Sequence, residues 1–144
     1  MFPISNVPEA ITVAASTQTD TRTTWTNYGA CIDVFAPGSG ITSSIFDTDN
    51  SSGSKSGTSM ATPHVVGVAA LILQQAPGAN PAQVRDVMVT QATQNIVQPT
   101  TTNNMHTMNS HLLYSLAAAP MELVGKPPKD PKPCTPKRQR KGQC

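Results

Sequence analysis

The segment Ser59–Gln75 constrains this chain most. It is long enough for a helix of several turns, and it is apolar nearly all round until Gln74. A surface helix carries a polar stripe; one without a stripe is buried on most sides and needs packed layers around it. Pro63 inside the segment has no N–H to donate, so it is allowed only near the first turn. That places the helix start close to Ser59. Gly67, Ala69 and Ala70 allow other backbones to come close.

Layers to cover such a helix are sparse. Ile11–Ala15, Ile32–Ala36 and Ile41–Ile45 read as short strands, the second stopped by Pro37-Gly38. Between the first two lies a polar stretch with threonine at 17, 19, 21, 23, 24 and 26. It reads as a surface loop with a short strand around Thr23–Thr26 and a turn at Tyr28-Gly29. Residues 46–56 are rich in Asp, Asn, Ser and Gly and read as loop. A second helix follows Ala76-Pro-Gly, with Asn80 as N-cap, Pro81 at its first position and Val84, Val87 and Met88 as its buried stripe. Residues 94–104 form a polar loop, and Leu112–Leu116 is a closing strand or short helix. Short strands with a buried helix give an α/β class, a partial three-layer sandwich with parallel strands around the central helix. The strands are too few to cover it, and the chain enters its first strand abruptly. A misplaced start or a fragment of a larger domain is expected.

At 144 residues the chain fits one domain at most. No apolar run approaches the about 20 residues that span a bilayer, and the first residues have no signal-peptide pattern. Three cysteines, Cys31, Cys134 and Cys144, lack the spacing of a zinc ribbon or disulfide framework. The net charge of +2 does not imply nucleic acid, and none is expected as a partner. That average joins unlike parts. Residues 125–144 carry seven Lys or Arg against Asp130 and hold five of the 13 prolines. The division expected is a folded part over residues 1–119 and a disordered basic tail over 120–144. The tail reads as a solubilising extension; weak adhesion to anionic polymers or headgroups is the alternative.

Chemistry concentrates in Gly57-Thr58-Ser59-Met60-Ala61-Thr62-Pro63-His64. A serine at a loop-to-helix junction puts a hydroxyl beside free N–H groups at the positive end of the helix dipole. Those groups can hold a developing oxyanion, and the Ser59 N–H is a candidate donor. A lone serine here would be an ordinary N-cap. The whole octapeptide, however, resembles the nucleophile motif of the subtilisin-like serine proteases (peptidase S8). Residues 7–16, Asn27-Tyr-Gly29, Asp33-Val-Phe-Ala-Pro-Gly38 and residues 109–115 agree in order, and together they look like the proteinase K and aqualysin branch. The resemblance covers about residues 3–117.

The resemblance implies that Ser59 is the nucleophile of a secreted serine endopeptidase acting on polypeptides. It implies an inhibitory propeptide in the full-length protein, and a monomer is expected. In this family the triad runs Asp, His, Ser along the chain. The 58 residues before Ser59 match only the stretch next to the nucleophile. The triad acid, its base and the oxyanion-hole Asn are not among them. His64, five positions on, is rotated by roughly 140° around the helix and cannot take the Ser59 proton; the family motif has it as a packing residue. His106 and His111 read as structural or solvated. Asp33 begins no Asp-Thr/Ser-Gly motif, so it is not the triad acid. In subtilisin, whose own magnitudes are borrowed with the resemblance, losing the base costs about 10⁶ in rate. One lost oxyanion donor costs roughly 10²–10³. The chain alone is therefore expected to be inactive, with a decayed paralogue or a tail-bearing binding fragment as the rival reading.

No cofactor is needed for the chemistry. The resemblance also implies a structural calcium held by the carbonyls of Pro8 and Ala10 and the carboxylate of Asp33, an oxygen-only set suited to a hard cation. The alternative is that Asp33 accepts from loop amides. Asp47, Asp49 and Asn50 read as a solvated loop. Family members pair the cysteine at Cys31 with an upstream one; here Cys31 is expected to be an unpaired thiol, while Cys134 and Cys144 could bridge in an oxidising compartment. Asn50-Ser-Ser52 is a glycosylation sequon, consistent with secretion.

Overall fold

The computed structural model describes residues 10–100 and 110–115. Its elements run β1 (Val13–Ser16), β2 (Val34–Pro37), β3 (Ile41–Ser44), β4 (Ser52–Lys55), α1 (Thr58–Gln75) and α2 (Pro81–Gln91). The expected disordered tail, and the Cys134–Cys144 bridge within it, lie outside the described residues.

β1 and β2 are parallel, in register from Val13 opposite Val34 to Ser16 opposite Pro37. Side chains alternate across this pair with the period of two that strands impose. Ala15, Val34 and Ala36 face α1 and α2, joining Ala61, Val65, Ile72, Val84, Val87 and Met88 in one core. Ala14 and Phe35 face the other way and pack with Ile32, Val97 and Leu112. The far edge of β2 is closed by the 111–113 segment. Phe35 N–H donates to the His111 carbonyl at 2.7 Å, and Leu113 N–H to the Phe35 carbonyl at 2.8 Å. The expected closing element is thus a single extended residue, Leu112, bridging Phe35 and Thr93.

The free edge of β1 is covered by residues 23–26, through main chain and side chain together. Ala15 N–H donates to Thr26 Oγ1 at 3.0 Å, and Thr23 N–H donates to the Ala15 carbonyl at 3.2 Å. A buried main-chain group without a partner is costly, and this explains why Thr23 and Thr26 are both buried. The expected strand at 23–26 is instead a turn; the bridges fall earlier, at Thr21 and Arg22.

β3 and β4 form an antiparallel hairpin, Ile41 opposite Lys55 and Ser44 opposite Ser52. The expected loop over 46–56 therefore ends at a strand. β4 has no apolar face, so hydrophobic alternation could not reveal it; its main-chain ladder holds it.

α1 begins at Thr58, one residue from the expected start, but Pro63 lies in the second turn, not near the first as the proline argument required. The Ser59 carbonyl consequently lacks its usual i+4 donor. α2 follows the sequence closely. Gln83 N–H donates to Asn80 Oδ1 at 3.0 Å, Asn80 N–H donates to Gln83 Oε1 at 2.9 Å, and Pro81 opens the helix.

Burial of α1 departs from expectation. Only Ala61, Val65 and Ile72 are buried, a single stripe over β1, β2 and α2. Val66 is 61% exposed, Leu71 39% and Leu73 40%. The helix is apolar on all sides, yet among the described residues it has layers on one side only. Ile72→Ala should therefore cost about 2–5 kcal/mol, while Val66→Gln should stay within about 0.5 kcal/mol. Denaturant unfolding of the chain measures both; equal losses would contradict the one-sided packing.

Candidate active site

Ser59 is exposed, at the second residue of α1. The N-cap is Gly57, and no side chain caps the helix, so Ser59 does not serve as a cap. Gly57 N–H donates to the Gly38 carbonyl at 2.8 Å, while the Gly57 carbonyl accepts from Met60 N–H at 3.0 Å and Ala61 N–H at 3.4 Å. Among the described residues the Thr58 and Ser59 amides have no main-chain acceptor. A hydroxyl with its own free amide at a helix N-terminus can attack a carbonyl and hold the resulting oxyanion.

The described imidazoles are engaged elsewhere. His64 Nδ1 lies 2.9 Å from the Met60 carbonyl. A ring protonated at Nδ1 donates along the helix's own backbone. His64 is exposed rather than packed, because α1 is uncovered on that side. His111 Nδ1 lies 3.3 Å from the Asp33 carbonyl. His106 falls outside the described residues.

Asp33 stands beneath the sheet edge. Its Oδ2 accepts from Thr12 N–H at 2.7 Å, the amide-accepting role weighed for it above. Desolvation raises its pKa; the Thr12 hydrogen bond, Arg85 and His111 oppose that rise, and Asp86 adds to it. Of the other expected calcium ligands, Ala10 is exposed and Pro8 lies outside the described residues. The desolvated Asp33 carboxylate is an oxygen donor of the hard kind that calcium takes. Asp47, Asp49 and Asn50 are exposed, as a solvated loop should be.

Cys31 corrects the sequence reading: it is disulfide-bonded, not a free thiol. The expectation considered only an upstream partner, and chain order does not limit which sulfur atoms meet in space.

The close approach of Gly38 to Ala15, Gly57 and Ala61 was not legible as a site feature. Its only sequence trace is Pro37-Gly38, which reads as a strand stop.

Ser59 thus presents an exposed hydroxyl at a helix N-terminus, beside amides that have no main-chain acceptor among the described residues. Residues 4–111 match the subtilase family, peptidase S8, and the chain belongs to that family. It is 50% identical over 94 residues to an extracellular serine proteinase of Thermus sp. (strain Rt41A), covering 65% of this chain and 23% of that protein. It is 45% identical over 117 residues to alkaline serine exoprotease A of Vibrio alginolyticus, covering 80% of this chain and 20% of that one. The crystal structure of a cold-adapted subtilisin-like serine proteinase superposes with a TM-score of 0.69 at 43% identity, over 80% of this chain and 40% of that chain. The fold is thus part of a subtilisin-like α/β domain, and the chain spans less than half the length of each of these relatives.

Two outcomes follow. Raised in the folded state, the Asp33 pKa favours folding below its ordinary value of 3.8; that contribution is lost as pH rises through the folded value. Asp33→Asn keeps an acceptor for Thr12 and should stabilise the chain at pH 7 in chelator but not at pH 3; urea unfolding at the two pH values reads it, and equal effects would contradict the burial argument. Secondly, non-reducing digestion should release the Cys31 peptide joined to another cysteine peptide, and alkylation of Cys31 without reductant would contradict the bond.

Proposed function

We propose that this chain is the nucleophile-bearing portion of a secreted subtilisin-like serine endopeptidase. The observation that carries the reading is the exposed hydroxyl of Ser59 at the start of α1, beside its own amide, which has no main-chain acceptor among the described residues. Ser59 Oγ attacks the scissile carbonyl carbon while a general base takes its proton. The Ser59 N–H holds the oxyanion. Collapse breaks the C–N bond, and the base returns the proton to the departing amine. Water, deprotonated by the same base, then hydrolyses the acyl-enzyme and frees Ser59.

The base, the acid that orients it and a further oxyanion donor belong to a part of the enzyme outside these 144 residues. Supporting this, the family's order places acid and base upstream of the serine, and the described imidazoles bond to main-chain carbonyls. The exposed apolar sides of α1, with Val66 and Leu73 on one and Leu71 on another, suit packing by that part. The 144-residue chain alone is inactive. Polypeptides are the substrates, and an inhibitory propeptide accompanies the full-length monomer. Secretion is supported by relatives named as an extracellular proteinase and an exoprotease, and by the exposed Asn50 of the sequon.

Calcium, where bound, supplies a positive charge that relieves the desolvated Asp33 carboxylate. Pro8, Ala10 and Asp33 would hold it, for stability rather than chemistry. No helix among the described residues is long and apolar enough to cross a membrane.

The test joins this chain to the acid- and base-bearing part of a subtilase and follows hydrolysis of a peptide p-nitroanilide. Turnover is expected, with Ser59→Ala lowering kcat by about 10⁶. Absence of turnover in a folded assembly, or full activity in the Ser59→Ala variant, would overturn the reading.

A further inference from the structure

The hydroxyl and amide of Ser59 are useful only where the first turn of α1 is fixed. Two hydrogen bonds fix it from one place, the turn Pro37–Gly40 that leaves β2. Gly38 is buried there, its N–H donating to the Ser16 carbonyl at 3.0 Å and its carbonyl accepting from Gly57 N–H at 2.8 Å. A Cβ on Gly38 would stand 2.6 Å from Ala15 Cβ, 2.9 Å from the Gly57 oxygen and 3.2 Å from Ala61 Cβ. These neighbours are a core strand, the main chain before the helix and its first buried side chain, so none can swing aside as a long side chain could.

Two residues on, Gly40 N–H donates to Ser56 Oγ at 2.9 Å. Gly40 has φ +68°, the left-handed region that glycine adopts without cost, and open space around it. The bond closes the hairpin base just beyond the Ile41–Lys55 pair. Residues 38 and 40 therefore grip residues 57 and 56, immediately before the helix. Gly57 is tied from both sides, its N–H to the turn and its carbonyl to the amides of Met60 and Ala61. A shift of Gly57 passes straight into the first turn, where the Thr58 and Ser59 amides have no main-chain acceptors of their own among the described residues.

We propose that the Pro37–Gly40 turn is the positioning element of the nucleophile, with Gly38 and Ser56 as positioning residues. They set where Ser59 Oγ and its amide stand, and they do not touch substrate. The proposal rests on the reading of Ser59 as nucleophile. A misplacement near 1 Å can cost up to about a hundredfold in rate, so a modest displacement of Gly57 should appear in kcat.

The test has two arms. In the chain joined to the acid- and base-bearing part, Ser56→Ala should lower kcat roughly three- to tenfold with KM unchanged, and Ser56→Thr, which keeps the hydroxyl, should restore it. Gly38→Ala should lower kcat further, about ten- to a hundredfold. An unchanged kcat in Ser56→Ala, a change confined to KM, or failure of Ser56→Thr to rescue would overturn the proposal. In ¹H–¹⁵N spectra of the 144-residue chain, Ser56→Ala should move the Thr58 and Ser59 amide signals and Ser56→Thr should return them. Unmoved signals overturn the proposal even where Gly38→Ala fails to fold. If the unmutated assembly shows no turnover, the protease reading fails, and the amide signals alone decide the positioning role.

Discussion

The contact of the Gly38 carbonyl with the Gly57 amide joins the sheet to the helix, and the site depends on it. The parallel pair β1–β2 ends at Ser16 and Pro37, and Gly38 carries that end directly onto the residue that caps α1. Ala61, Val65 and Ile72 then bind the helix along its length to the strands and α2. Ser59 stands at the exposed start of a firmly held element. Its exposure follows from its place at the second helical residue, on the side away from the buried stripe.

The same packing explains why the fold is lopsided. A helix apolar on all faces rests on layers that cover one of them. A surface of this kind usually marks an interface, and the share of each subtilase relative matched by this chain agrees with a domain that continues elsewhere. Stability and catalysis then depend on one event, since the part that would cover Val66, Leu71 and Leu73 is also the part proposed to bring the base.

Features written in local chemistry were legible before any coordinates. Asn80 and Pro81 announce the start of α2 because a cap is a contact between near neighbours in the chain. The strands at Val13–Ser16 and Val34–Pro37 are legible as apolar runs with turn residues after them. The octapeptide around Ser59 is legible through its resemblance to the nucleophile motif of the subtilisin-like proteases; helix-terminal amides alone would leave Ser59 an ordinary N-cap. Less visible were contacts that only the tertiary fold creates. Thr23 and Thr26 look like a short exposed strand until β1 needs partners for its free edge. β4 has no apolar alternation to read. The Cys31 disulfide and the tight seat at Gly38 depend on distances in space that no sequence spacing encodes. Burial of α1 on most sides is read from its missing polar stripe, and that pattern cannot say whether the covering layers lie within the described residues.

The central claim is that Ser59 is a positioned nucleophile without its base. Intact-mass measurement of fluorophosphonate addition addresses it most directly, made on the 144-residue chain alone and after joining to the acid- and base-bearing part. The account predicts no adduct on the chain alone and one adduct, on Ser59, in the assembly. Stoichiometric addition to Ser59 in the isolated chain, or addition to the assembly that persists in Ser59→Ala, would contradict it.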